Sequence, residues 1–323
     1  MENPEPKLQH FLPQNCHFNA FAAPELLNGK RAVWVHSASK QSLFQQIEKT
    51  GAINELYTIR DDQGKPNREL EIILATIEST LAPTIKKFTE QQSDEGFSIL
   101  EKEAIATFVA MMKVRTPWHK GHLAEIFSKM KNILLLRRMG KDATGIVKTL
   151  TDKDHASAFS RDIENMPTEK INNFEEFLSI DNPFAQILLR QLRKNAEIIF
   201  EEMQWGFTLA HPGTDFVTCD NPVACCREDH TQVGTGLGFP DVTIYFAISP
   251  KIAFYGYKDF SIGVHRSLST PVTQLKKEET DLFNTRATLS ASKYIYSAQK
   301  DIDQKIQEIL SKKLSFGLFK WKR

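Results

Sequence analysis

Phe216-Val217-Thr218-Cys219-Asp220-Asn221-Pro222-Val223 runs from β-prone apolar residues into a turn. Asp-Asn-Pro stops the strand and leaves a carboxylate and an amide at its end, where binding side chains are commonly displayed. Outward from this stretch the hydrophobic period is two. Phe207-Thr208-Leu209, residues 242–248 and residues 252–255 read as further strands, separated by Gly, Pro and Asp turns. Residues 276–291 return to a helical period. Tyr294-Ile295-Tyr296 is a short strand, 302–314 a last helix, and Phe319-Lys320-Trp321-Lys322-Arg323 a basic aromatic tail.

The amino-terminal third also carries strands. Ala32-Val33-Trp34-Val35-His36 is one, Glu55-Leu56-Tyr57-Thr58-Ile59 a weaker second, and Arg60-Asp61-Asp62-Gln63-Gly64-Lys65-Pro66 a turn-rich loop. Leu70, Ile73, Leu74, Ile77 and Leu81 then fall at helical spacing, with Pro83 set to bend or end that helix. Over 98–113, Ile105, Phe108, Val109 and Met112 share a helix face, and Pro117 disfavours helical geometry at Thr116. Residues 120–204 are almost wholly helical in pattern, with Phe184, Ile187, Leu188, Leu192 and Ile198 on one amphipathic face. The more polar 140–180 reads as a mobile lid or surface subdomain. The expected fold class is α+β: a mixed or antiparallel sheet built from early and late strands, with a large helical layer inserted between them. The expected organisation is a single domain over 1–323, with a helical subdomain at 120–204.

A chain of 323 residues, 41% hydrophobic and 25% charged, has the balance of a globular protein with a large core. A net charge of +1 gives no global electrostatic attraction to nucleic acid or an anionic membrane. MENPEPKLQHFLPQ lacks the apolar core of a signal peptide, and no run approaches the roughly 20 apolar residues of a spanning helix, so neither secretion nor membrane insertion is expected. Cys16, Cys219, Cys225 and Cys226 show no disulfide-framework spacing, which points to a reducing, cytoplasmic compartment.

The order of several short blocks resembles domain-of-unknown-function family 4238, over most of the chain. His10-Phe11-Leu12-Pro13-Gln14 resembles its amino-terminal signature, and Val33-Trp34-Val35 and Leu56-Tyr57-Thr58 the strands that follow. Leu74-Ala75-Thr76-Ile77-Glu78 with Ala82-Pro83 is similar to the next block, and Phe108 through Arg115-Thr116-Pro117 to its Arg-Thr-Pro block. Val217-Thr218-Cys219-Asp220-Asn221-Pro222 resembles its Ser-Asp-Asn-Pro block, and Ile248-Ser249-Pro250 and Asn284 fit its end. Two departures stand out: Cys219 replaces the family's usual Ser, and Asn15-Cys16-His17-Phe18 replaces an aromatic-Leu-basic run.

His10, Gln14, Glu78, Arg115, Asp220 and Asn221 are the candidate site. His10 is suited to general acid or base work, and Arg115 to clamping a phosphate. Asp220 and Asn221 would position a water or a divalent metal such as Mg, with Asp220 the metal ligand, while Gln14 and Glu78 orient the others. The leading expectation is an intracellular hydrolase of a phosphate-containing substrate, a nuclease or nucleotide hydrolase, with nucleic acid or a nucleotide as partner and no membrane. The alternative is a non-catalytic ligand-binding sensor or interaction module. A structural partner assembling through its helical middle is a third reading. On a purely structural account, His10 caps a turn, Arg115 pairs with Glu78 or Asp220, and Asp-Asn-Pro is a turn.

The sequence also carries several weaker patterns. Arg115 and His122 have the spacing of a helical ribonuclease motif, which requires one helix carrying both, and Pro117 lies between them. Cys219, Cys225, Cys226 and His230 are soft ligands without the paired hooks of a zinc site. Pro240-Asp241 lacks the carboxylate-x-Lys that a metal nuclease places on the next strand, because Ser249-Pro250 precedes Lys251. Gly234-Thr235-Gly236-Leu237-Gly238 lacks the Lys-Ser/Thr of a P-loop. His119 and His122, around Trp118 and Lys120, could touch a base or phosphate or simply start a helix.

Overall fold

A computed structural model describes residues 8–38, 41–61, 63–93, 95–147, 167–179, 182–227, 236–258 and 270–315. Its helices and its antiparallel and mixed sheets form an α+β fold, with helices between early and late strands. β1 (Leu8–His10) pairs antiparallel with β5 (Ala52–Asn54). β2 (Leu26–Leu27) turns into β3 (Lys30–His36) through Asn28 and Gly29, at φ of 52° and 75°, the left-handed conformation a two-residue hairpin turn needs. β3 also pairs with β4 (Leu43–Gln46) and with β14 (Ile295–Ser297), and β14 pairs with β9 (Thr218–Cys219). Early and late strands therefore share one sheet, which brings the two ends of the family signature together.

The second sheet is entirely late in sequence. Its order is β10 (Ala224–Cys226), β11 (Thr243–Ala247), β12 (Ile252–Tyr257), β8 (Gln204–Leu209) and β13 (Thr270–Gln274). The pairs are antiparallel except β13 with β8, which is parallel. β11 is buried at every position, which fits a central strand covered on both faces.

α2 (Ile99–Val114) is the central helix. Ser98 and Glu101 close a reciprocal capping box at its start, and its second half, from Ile105, is almost wholly buried. It packs against α6 (Pro183–Glu197), the π-helical turn Ile198–Glu202 that follows it, and α1 (Glu69–Gln91). Phe108 also reaches β11 at Phe246, with ring centroids 5.6 Å apart. α3 (Pro117–Arg138), the single turn α4 (Thr144–Val147) and α5 (Thr168–Ser179) extend the helical layer, while α7 (Lys277–Ser290) and α8 (Gln304–Ser315) close the fold. One apolar cluster runs from Phe11 through these helices to Phe254 and Tyr296.

Two sequence expectations are corrected, and two strands are added. The strand over Glu55 to Ile59 does not form: Glu55 sits at φ 53°, and the side-chain carbonyl of Gln9 takes the Tyr57 N–H at 2.6 Å in place of a strand partner. The β structure there is β5, ahead of it, and a small hairpin of β6 (Ile59–Arg60) with β7 (Pro66–Asn67). Pro83 does not end its helix: it lies on the exposed side of α1, while Leu74, Leu81, Ile85 and Phe88 bury the opposite face. That burial outweighs the one lost helix bond. Finally, β10 and β13 were not anticipated. The basic tail, His230, Gly234, Thr235 and, within the 140–180 segment, residues 148–166 and 180 lie outside the described residues.

Candidate functional site

Arg115 caps the carboxyl end of α2, where a cation complements the helix dipole. Its side chain is 3% exposed and already committed. One Nη donates to Glu78 on α1, the other to the His10 backbone carbonyl, and Nε lies 3.5 Å from the Tyr57 hydroxyl. That hydroxyl in turn donates to the Arg115 carbonyl at 2.6 Å. Burial pulls against the guanidinium's charge, but Tyr57 and Glu78 overcome it and raise the Arg115 pKa. Gln9, missed in the sequence, extends the network by donating to Thr58 Oγ1 at 3.1 Å and to Glu71 at 2.9 Å. His10 Nε2 lies 2.8 Å from Gln14 Nε2 and 3.2 Å from the Glu48 carbonyl. The same ring nitrogen faces both groups, so its protonation decides which of the two contacts is the hydrogen bond. Burial lowers the His10 pKa. His10, Gln14, Glu78 and Arg115 thus meet, as a closed cross-link between β1, α1 and α2.

Asp220 and Asn221 form a second clasp. One Asp220 oxygen accepts the Ser292 N–H at 2.7 Å, and the other accepts Lys293 at 2.9 Å and Tyr294 at 3.2 Å. The Asp220 N–H returns to the Tyr294 carbonyl at 3.1 Å. A carboxylate facing three backbone donors is set up for an anion's role, and those same N–H dipoles oppose a cation beside it, so Asp220 does not fit the metal-ligand role expected of it. Asn221 donates to the Ser290 carbonyl and hydroxyl at the end of α7, and its own side-chain oxygen accepts from Thr116 Oγ1 at 3.3 Å. Thr116 is the N-cap of α3. The Arg-Thr-Pro and Asp-Asn-Pro blocks therefore touch through Thr116 and Asn221, and what they do there is join β9, β14, α3 and α7.

The same network shapes a cleft that the sequence did not single out. The Gln9–Tyr57–Arg115 bonds fix the backbone of Leu56 to Thr58. The Leu56 carbonyl accepts from Lys120 Nζ at 3.1 Å and from Asn182 Nδ2 at 3.3 Å, and the Thr58 carbonyl from Asn182 Nδ2 at 2.9 Å. Beyond lies a cleft of about 580 Å³ lined by Glu55, Thr58, Arg60, Lys120, Phe127, Ser128, Lys131, Asn182 and Phe184, among others. That volume is in the range of small-molecule sites. Three cations face one carboxylate, Glu55, which is paired with Arg60 at 2.7 Å. Lys131 has no ion pair among the described residues and is exposed. Asn182 and Glu55 are two of the four described non-glycine residues at positive φ, a strain that tends to collect at functional sites. The amino end of α6 opens here at Pro183, adding the positive end of a helix dipole.

A family model described as "Protein of unknown function (DUF4238)" matches residues 8–301. The chain belongs to that family. No match is found among curated proteins or solved structures. In this DUF4238 chain the departures from the family pattern are structural. Cys219 is fully buried in an apolar cluster with Val217, Ala287, Ile295 and Leu310. His17 packs against Phe21, Phe108 and Phe246, with Nε2 3.1 Å from Thr218 Oγ1, and burial lowers its pKa to about 3. Burial pushes the Cys16 thiol up to about 12, so it is no nucleophile near neutral pH.

The weaker patterns resolve similarly in this DUF4238 chain. Arg115 ends α2 and His122 lies in α3, so no single helix carries both. His119 Nε2 is 2.7 Å from Gln191 Oε1, and His122 stacks on Trp118. Asp241 takes a two-oxygen contact from Arg227 Nε. Cys225 and Cys226 are adjacent on β10, and no group of His, Cys, Asp or Glu among the described residues is arranged for a metal ion. No described helix is long and apolar enough to cross a membrane. The cleft did have a sequence signal: Lys120, Ala124, Phe127, Ser128 and Lys131 recur at helical spacing, one face of α3.

Proposed function

We propose that this DUF4238 protein is a ligand-binding module for small phosphate-bearing molecules, with its site in the Lys120–Lys131–Asn182 cleft. The observation that carries this is the contrast between Arg115 and Asp220, which are held on every side, and Lys131, which lies exposed at the cleft. Arg115 and Asp220, the groups a phosphohydrolase would need, are saturated by Glu78, Tyr57 and backbone atoms. The cleft instead offers the exposed Lys131, which has no ion pair among the described residues, the exposed Ser128 and a helix amino end around an open volume, with Lys120 and Arg60 in its lining. A tetrahedral dianion is matched by such a donor-rich surround, and a carboxylate uses less of it.

Titration calorimetry with ribose 5-phosphate and with pyrophosphate tests it. Binding is expected to wild type and to weaken about tenfold or more in Lys131→Glu, which places a carboxylate where a cation stood. Hydrolysis of a phosphodiester or nucleotide that survives Lys131→Glu but is lost in Asp220→Asn, with folding intact, would restore the hydrolase.

A further inference from the structure

The cleft holds one negative group among its cations. Glu55 is the single carboxylate among the described residues that line it. Its side chain is 30% exposed, and Arg60 Nη2 donates to its Oε2 at 2.7 Å. Arg60 also donates to the Gly64 carbonyl at 3.0 Å, so its guanidinium sets the direction of that carboxylate. The backbone beneath is fixed as well. Glu55 stands at φ 53°, and the next residue, Leu56, has its carbonyl held by Lys120 and Asn182. A bare phosphate entering such a cleft would meet a like charge. A ligand with hydroxyl groups beyond its phosphate would meet an acceptor there, because a carboxylate takes hydrogen bonds from O–H groups and binds sugar hydroxyls in this way. The cleft is also long: Lys120 and Lys131 stand at the two ends of its α3 face, about 16 Å apart along the axis, more than one phosphate fills.

We infer, on the phosphate-binding role proposed above, that the ligand is a sugar phosphate, with its phosphate at Lys131 and a pair of neighbouring hydroxyls on the Glu55 carboxylate. Lys131 and Ser128, both exposed on α3, make the phosphate end. Glu55, oriented by Arg60, makes the sugar end. Selectivity follows from charge: Glu55 repels an anion that brings no donors and favours one that does.

The experiment is calorimetry on the full chain with ribose 5-phosphate, with 2-deoxyribose 5-phosphate, which lacks the neighbouring pair of hydroxyls, and with methyl phosphate, which has none. Wild type should bind ribose 5-phosphate about tenfold tighter than methyl phosphate, the gain expected of hydrogen bonds to a charged acceptor, with the deoxy sugar between them. Glu55→Gln should tighten methyl phosphate and close most of that gap. Glu55→Gly, which suits the positive φ and removes the side chain altogether, should close it too. Lys131→Glu should weaken all three ligands. Equal affinity of wild type for ribose 5-phosphate and methyl phosphate would overturn the sugar contact and leave the phosphate site standing. So would a deoxy sugar bound as tightly as ribose 5-phosphate, or a gap that both Glu55 variants leave intact. Absence of all binding, or indifference to Lys131→Glu, would overturn both the sugar contact and the phosphate site.

Discussion

Asp220→Ala isolates the clasp from any chemistry. The carboxylate is 7% exposed and accepts three backbone N–H groups, of Ser292, Lys293 and Tyr294. Those donors sit on the loop that delivers β14 to the middle of the first sheet, between β3 and β9. Each buried donor left unmet costs about 1–3 kcal/mol, and water entering the vacated volume recovers part of it. The loss should therefore be about 3–5 kcal/mol, a large share of the roughly 5–15 kcal/mol that holds a typical fold together. Asp220→Asn keeps one acceptor but sets an amide N–H against the donors on the other side, so its cost should be of similar size. Urea denaturation followed by tryptophan fluorescence, with Trp205 fully buried, reads this directly, since an m of roughly 3 kcal/mol per molar gives a midpoint shift of about 1–2 M. An unchanged midpoint in Asp220→Ala would refute the structural assignment, the more so if a catalytic turnover vanished at the same time.

Further outcomes follow from the same geometry. Arg115→Met should destabilise by about 3–5 kcal/mol, because it strands the Glu78 carboxylate beside a buried gap; pairing it with Glu78→Gln in a denaturation cycle should recover part of the loss. Burial lowers the pKa of His17 to about 3 and of His36 and His119 to about 4. Their unfolded forms take protons near 6.5, so the unfolded chain binds more protons between that pH and the folded values. Stability should hold above pH 6.5 and fall as pH drops toward 4, by up to about 2 kcal/mol per ring at pH 5, and equal urea midpoints at pH 7 and pH 5 would contradict this. Iodoacetamide at pH 8 should leave Cys16 almost unlabelled in the native protein and modify it quickly in urea, as mass spectrometry of tryptic peptides would report.

Much of the fold was legible because local and tertiary preferences agree in it. Val33 and Val35 alternate inward along β3, Ser98 and Glu101 announce α2, and Pro117 separates α2 from α3. Where tertiary contacts overrule local signals, the sequence misleads. The β-prone Leu56 to Thr58 is held by the side chain of Gln9 instead of a strand, and Pro83 is carried through α1 by the burial of the opposite face. β10 is too short to show a period. The candidate site was half legible. The family blocks do meet, but whether a carboxylate such as Asp220 faces solvent or three amides depends on the path of the Ser292–Tyr294 loop, which no spacing encodes. The cleft draws Thr58, Lys131 and Asn182 from three separate segments, and only the α3 face had a pattern to read.

Hydrogen–deuterium exchange with and without saturating ribose 5-phosphate tests the central claim most directly, because it locates the ligand without presuming a reaction. Slower exchange is predicted at residues 55–60, across 120–131 and at 182–186, with 10–16 and 216–223 unchanged. Protection confined to 10–16 and 216–223, with the cleft segments unaffected, would contradict it.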